Sequence, residues 1–392
     1  MVSGSYIPLT FEFSTAERIL FGAGKLAELG KLAQEMGKRA LVVSGISDEK
    51  TARVVRQLEG RGLECAIFKI EGEPTIEIIN RCLALAQEEK SDMFCGLGGG
   101  SAMDAAKAAA ILLANGGLVE DYLEVIGKGK AFSNPSYPCI CIPTTAGTGA
   151  EVTRNAVIGS PEHGVKVSLR NAWMLPRVAL VDPELTYELP SDLTASTGLD
   201  ALTQLIEPFV SIRANPFTDS LCKAGMSLST KSLRVAYQEG DVPQAREDLA
   251  LACLFSGLAL ANASLGAVHG IASVLGGMYP GPHGAICARL LPYVMETNIR
   301  ALRERLPGSE TLVRYEEIAK IITGEVAASA EDGVAWVMNL CRDIDIAPLS
   351  AYGIRREDFP TIVEKSSKAS SMRGNPVQLT VEEMSLILEQ AL

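Results

Sequence analysis

Asp92-Met-Phe-Cys-Gly-Leu-Gly-Gly-Gly-Ser101 runs from a short apolar stretch into a glycine-rich turn, and Ala102–Ala114 continues it as a segment rich in Ala, Ile and Leu. Strand, glycine turn and helix in that order suit a phosphate. Glycines let the backbone approach a pyrophosphate closely, and a helix N-terminus supplies N–H groups and a favourable dipole. Ser101 is placed to cap that helix and to reach a phosphate with its hydroxyl. Taken alone, the cluster reads equally well as a tight turn capped by serine.

Outward from this stretch the pattern repeats. Ala40–Val43, Ala66–Ile70, Met93–Cys95, Cys139–Ile142 and Val178–Val181 read as buried strands. Between them, Val54, Val55 and Leu58 mark one helical face, and Ile76, Ile79, Cys82, Leu83 and Ala86 another, at steps of three and four residues. Alternation of this kind predicts a parallel sheet covered by helices. After Pro190 strand signals nearly vanish and long helical segments follow, Ser191 through Leu233 and Pro243 through Val274 among them. Thr380 with Glu383 forms a capping box that starts the last helix. The expected architecture is a Rossmann-like α/β dinucleotide-binding domain over residues 1–188 and an all-α domain over residues 189–392.

A second polar loop, Pro143-Thr-Thr-Ala-Gly-Thr-Gly-Ala-Glu-Val-Thr153, also follows a strand. Thr144, Thr145 and Thr148 offer hydroxyls to ribose or phosphate. Two such loops at strand C-termini favour a nucleotide site, because ligands of open α/β sheets collect there.

The 392 residues suit about two domains. A formal charge of −11, with no basic run, disfavours nucleic acid as a partner. The nine cysteines include no CxxC pair and read as unpaired thiols of a reducing compartment. Met1–Thr10 lacks the basic start and apolar block of a signal peptide. Leu249–Ala288 contains no Asp, Glu, Lys or Arg, yet its His, Asn, Pro and Gly residues suit buried helices better than a membrane span. A cytoplasmic protein with no membrane partner is expected.

These elements together resemble the iron-containing (group III) alcohol dehydrogenase family. Gly98 to Lys107, with Asp104, is similar to its GGGS-x2-D-x2-K element. Pro143 to Glu151 resembles its PTTAGTGSE loop, with Ala150 in place of Ser. Phe21-Gly-Ala-Gly24, Asp182-Pro183 and Asn375-Pro376 through Thr380 match three more elements in order. The resemblance implies a nicotinamide cofactor in the cleft between the domains, contacted by Gly98, Gly99, Gly100, Ser101, Asp104, Thr144, Thr145 and Thr148, with Lys166 near the nicotinamide ribose. Relatives that prefer NAD often carry Asp in the turn after the first strand. Gly45 stands there in Val43-Ser-Gly-Ile-Ser47, which favours NADP, while nearby Asp48 leaves NAD open.

The family's metal is held by one Asp and three His, the first two at i and i+4 on a helix. Here Asp200 is present, Gln204 replaces the first His, and His269 and His283 match the others. Asp200, His269 and His283 are thus the implied catalytic and metal residues, able to hold one Fe(II) or Zn(II) per chain. Gln204 either adds its amide oxygen as a fourth ligand or hydrogen-bonds Asp200 with no metal present. Ser273 stands where relatives often have a proton-relaying His. The resemblance implies hydride transfer between the nicotinamide and a small alcohol or aldehyde substrate. Three alternatives stay open: a metal-independent carbonyl reductase similar to maleylacetate reductases, the chemistry of dehydroquinate synthase or glycerol dehydrogenase on the same plan, and a non-catalytic nucleotide-binding protein with a decayed metal site. Phe209, Phe217, Phe255 and Tyr279 are candidate pocket residues, and the family implies a homodimer or larger homo-oligomer.

Overall fold

Apolar runs flanked by polar turns become the strands, and amphipathic or wholly apolar stretches the helices. A computed structural model describes residues 10–123 and 126–392. The first half contains β1 (Arg18–Phe21), α1 (Leu29–Gln34), β2 (Arg39–Ser44), α2 (Asp48–Glu59), β3 (Glu64–Lys69), α3 (Ile76–Glu88), β4 (Met93–Gly98) and α4 (Gly100–Asn115). It continues with β5 (Cys139–Pro143), β6 (Asn155–Ser160), β7 (Val165–Arg170) and β8 (Val178–Val181). The second half contains α5 (Ser191–Val210), α6 (Pro216–Gln238), α7 (Pro243–Ala263), α8 (Ala267–Met278), α9 (His283–Arg305), α10 (Glu310–Thr323), α11 (Ala330–Asp343), α12 (Phe359–Ser367) and α13 (Val381–Ala391).

Six strands form one parallel sheet in the order β1-β8-β5-β4-β2-β3, and β6 and β7 pair as a separate antiparallel hairpin. The α/β reading therefore holds, with three strands more than the apolar runs suggested. β1 is four residues long with a half-exposed pattern, and β6 and β7 alternate exposed and buried residues, so none of them shows as an apolar run. β3 corrects another expectation. It is an edge strand rather than a buried one, and Ile67 on it is 44% exposed.

The first expected helical segment is broken at Asn215-Pro216. Asn215 caps α6 by accepting from Phe217 and Thr218 N–H, and Pro216 fits the first turn because it has no N–H to leave unpaired. The second is broken between Ala263 and Ala267. Among the described residues no single helix is long and apolar enough to cross a membrane; α7 and α8 meet at a bend of 100°. The uncharged stretch is largely buried in the helical core.

Two family-like elements prove to be one staple. Asp182, at the end of β8, accepts from the N–H groups of Gly24, Leu26 and Glu184, so it ties the Phe21–Gly24 turn to the sheet.

The halves meet backbone to backbone. Gly149, at φ 61°, lies against Gly257 of α7 so closely that a β-carbon on Gly149 would stand 2.3 Å from the Gly257 Cα. Beside this contact Glu151 is 1% exposed. Burial pushes its carboxyl up to about 7, and Lys107 only partly offsets the effect. The native state thus keeps a proton that the unfolded chain releases near 4.5. Stability from this group is complete below that value and is lost as pH rises through about 7. Glu151→Gln removes the titration. Between pH 4.5 and pH 8 the variant should gain up to about 3 kcal/mol relative to the native chain, read by denaturant unfolding at both pH values.

Candidate metal and cofactor site

β4 and β5 are neighbours whose last residues, Gly98 and Pro143, pair, so both loops leave the same edge of the sheet side by side. Thr144 N–H donates to Gly98 O, and Gly45 N–H, from the end of β2, donates to Leu97 O. Gly99 faces Thr145, and Gly100 is in contact with Thr148. Gly45, Gly98, Gly99, Gly100, Ser101, Thr144, Thr145 and Thr148 are therefore assembled at one point, over the N-terminus of α4. The N-cap is Gly99, not Ser101; Ser101 lies inside the first turn, because the helix begins at Gly100.

Asp104 follows one turn later on α4. Its carboxylate accepts from Val157 N–H at 2.8 Å and pairs with buried Lys107 at 2.9 Å. Lys107 in turn donates to Ala150 O, Thr153 Oγ1 and Asn155 O. These two residues bind α4 to the second loop and to β6. Lys166, on β7, pairs with Glu73, and its Nζ lies against Gly276 of α8, at the seam between the halves.

The second loop reaches across to the helical half, since Gly147 packs on Thr197 of α5, one turn before Asp200. There Asp200, His269, His283 and Cys287 converge, with one ligand-type atom from each lying within 4.8 Å of the others. Asp200 comes from α5, His269 from α8, and His283 and Cys287 from the first two turns of α9. The i, i+4 spacing on α9 puts the His283 ring and the Cys287 sulfur on one face. Gly284 permits the approach of α9 to α5, because a β-carbon there would stand 2.3 Å from Ser196 O.

Gln204 stands one turn after Asp200 on α5. Its amide oxygen accepts from Ser256 Oγ of α7 at 3.0 Å. The fourth donor, Cys287, was missed in the sequence because the cysteines were judged by CxxC spacing; His283-x-x-x-Cys287 was the available signal.

Asp200 Oδ1 and His269 Nε2 are buried and lack hydrogen-bond partners. They face each other at 3.3 Å without hydrogen-bond alignment. Burial works against charge on Asp200, yet His269 and His283 hold its carboxyl below the usual range. Burial likewise works against charge on His269, but the Cys287 sulfur, Glu207 and Asp200 hold it well above the usual imidazole range. Beside the same sulfur His283 is also raised. An electronegative pocket with two orphaned ligand atoms fits a cation, which would replace the protons the imidazoles otherwise take up.

Two distant side chains orient His269. Glu207 of α5 pairs with His269 Nδ1 through Oε2 at 2.6 Å and accepts Val268 N–H through Oε1 at 2.6 Å. Asn375 accepts Ala267 N–H and makes a reciprocal amide pair with Asn298. Together they satisfy the first N–H groups of α8, whose N-cap Gly266 has no side chain to do so. With Nδ1 held by a carboxylate, Nε2 is left to face the cluster, the arrangement typical of a metal-bound histidine.

Other candidates lie elsewhere. Phe209 is core, with Arg314 over its ring, and Phe217 is 58% exposed beside Phe11 and Phe13. Phe255 and Tyr279 pack on the helical core. Ser273 Oγ donates to Gly270 O within α8.

A sheet edge bearing two nucleotide-type loops, set beside a ligand cluster in a helical half, defines a two-domain dehydrogenase plan. Sequence comparison makes the assignment specific: the chain belongs to the iron-containing alcohol dehydrogenase family, matching "Iron-containing alcohol dehydrogenase" over residues 16–183 and "Fe-containing alcohol dehydrogenase family, C-terminal" over residues 194–392. It is 36% identical to alcohol dehydrogenase 4 of Saccharomyces cerevisiae (strain YJM789), over 100% of this chain and 98% of that one. It is 32% identical to the NAD-dependent methanol dehydrogenase of Bacillus methanolicus, over 95% of this chain and 97% of that one. The solved alcohol dehydrogenase from Oenococcus oeni superposes with a TM-score of 0.90 at 33% identity, covering 98% of this chain and 100% of that one.

Glu207→Gln should keep the fold but set an amide N–H against one of the two N–H groups that Glu207 now accepts. Metal retention should fall about 10- to 100-fold, measured by competition with a chelator.

Proposed function

We propose that this chain is a nicotinamide-dependent alcohol dehydrogenase and aldehyde reductase for small alcohol or carbonyl substrates, assisted by one metal ion held by Asp200, His269 and His283. The carrying observation is the pair of buried, unpartnered ligand atoms, Asp200 Oδ1 and His269 Nε2. The family implies NAD(H) and iron or a similar metal, and the donor set here fits such an ion. When bound, the metal polarises a substrate oxygen as a Lewis acid and the nicotinamide exchanges hydride with the substrate carbon.

The protein's share is placement. The first N–H groups of α4 receive the pyrophosphate, and the threonines of the second loop contribute hydroxyls beside it. Glu207 fixes the tautomer and direction of His269. Gly147 and Gly149 hold the cofactor loop against α5 and α7, so nucleotide and metal sites keep their separation. No side chain that titrates near neutral pH stands at position 273, and proton exchange is left to water.

Both NAD(H) and NADP(H) are proposed as cofactors. NAD(H) follows from the family. NADP(H) follows from Gly45, which places no carboxylate against a 2′-phosphate. A side chain fits there, because a β-carbon on Gly45 would meet the nearest atom, Ala102 Cβ, at 3.5 Å. Gly45→Asp should lower kcat/KM for NADPH at least about tenfold, some 1.4 kcal/mol, and spare NADH; equal use of both cofactors by variant and native chain would remove the assignment. Asp200→Ala should abolish metal retention and lower kcat/KM roughly 100-fold or more. Unchanged turnover in that variant would eliminate the metal-assisted reaction.

A further inference from the structure

Cys287 has no part in the reaction as proposed above, yet its sulfur sits inside the ligand cluster. It is wholly buried, one helical turn from His283, and its Sγ lies 3.6 Å from His283 Nε2. The position that would have supplied a further ligand on α5 is Gln204, a neutral amide and a weaker donor than histidine, whose oxygen accepts from Ser256. The cluster therefore has a neutral amide beside it on one helix and an unexpected sulfur donor on another.

Two separations in the cluster match those of ligands around one ion, and all four donor atoms lie within 4.8 Å of one another. Zinc–nitrogen and zinc–sulfur bonds of about 2.05 and 2.3 Å at a tetrahedral angle set nitrogen and sulfur about 3.6 Å apart, and nitrogen and oxygen ligands about 3.4 Å apart. The structure has 3.6 Å between Cys287 Sγ and His283 Nε2, and 3.3 Å between His269 Nε2 and Asp200 Oδ1. A thiol donating a hydrogen bond to His283 would explain the first distance alone. The second distance also suits an imidazolium–carboxylate contact, but that contact lacks hydrogen-bond alignment and leaves both buried atoms without a hydrogen bond, whereas a shared ion satisfies them.

We infer that Cys287 Sγ is a protein ligand of the metal, so that this chain holds its ion with Asp200, His269, His283 and a thiolate. On binding, the thiol releases its proton to solvent and the sulfur lone pair forms the bond, with no change of oxidation state. A thiolate is a softer donor than imidazole or carboxylate and moves the site toward Zn(II) and away from Fe(II). Zinc sites can expand to five ligands, so four protein donors still leave room for a substrate oxygen.

This rests on the metal reading above, and Co(II) separates the two. The purified full chain is stripped of metal, loaded with one equivalent of Co(II) without oxygen, and followed by absorption and by elemental analysis. Thiolate-to-cobalt charge transfer gives an intense near-ultraviolet band that nitrogen and oxygen ligands do not give. The expected result is one Co(II) per chain with that band. In Cys287→Ser the band should be lost and the ion held at least about tenfold more weakly. After equal anaerobic offering, the ratio of zinc to iron retained should also fall in the variant. One Co(II) per chain without the band, in the native protein, overturns the thiolate ligand and leaves the metal site standing. Failure to bind any Co(II), Zn(II) or Fe(II) overturns both. The native spectrum decides the matter even if the variant does not fold.

Discussion

The backbone contact between Gly149 and Gly257 is the constraint on which the rest depends. It admits no side chain on either partner, and it fixes a cofactor-type loop of the sheet domain against a core helix of the other domain. Gly147 on Thr197 repeats the contact one helix away, a turn before Asp200. The two ends of the chemistry are thus spaced by backbone atoms, which have no rotamers and move little. Hydride transfer tolerates small errors of distance poorly, and rigid backbone is the surest way to set one.

The fold was legible to the extent that strands were apolar throughout. β2, β4, β5 and β8 are buried on both faces, and a parallel sheet under helices follows from them. The edge strand β1 hides from that reading, because solvent on one side lets polar residues in, whereas β3 shows as an apolar run although it too lies at an edge. The site was legible in types and not in partners. Asp200, His269 and His283 stand out by resemblance, but nothing in the spacing around Gln204 shows that Ser256 donates to its amide oxygen. Nor does it show that Glu207 lies behind His269 on a helix sixty residues earlier in the chain. Asp104 reads as a phosphate-loop residue by position, and that position does not show that it also holds Lys107 and β6. Asn375 reads as a marker of the family; its work is to close the start of the helix that bears His269.

Electrostatics explains why the cluster suits a cation. Asp200 and Glu207 are buried beside Cys287 among helices that are otherwise apolar, where an uncompensated carboxylate charge is costly. Two imidazoles compensate part of it by taking protons, and a divalent ion does so more completely while satisfying the orphaned atoms.

Glu207 carries two loads on one carboxylate, the direction of a histidine ring and the first turn of a helix. Such sharing narrows the routes by which the protein can change. A drift in sequence that retuned the ring would also loosen the helix, and a repacked helix would swing the ring. Change in this centre is therefore less constrained from the side of α9 than from the side of α8, and diversification should be sought where no residue answers for two things at once.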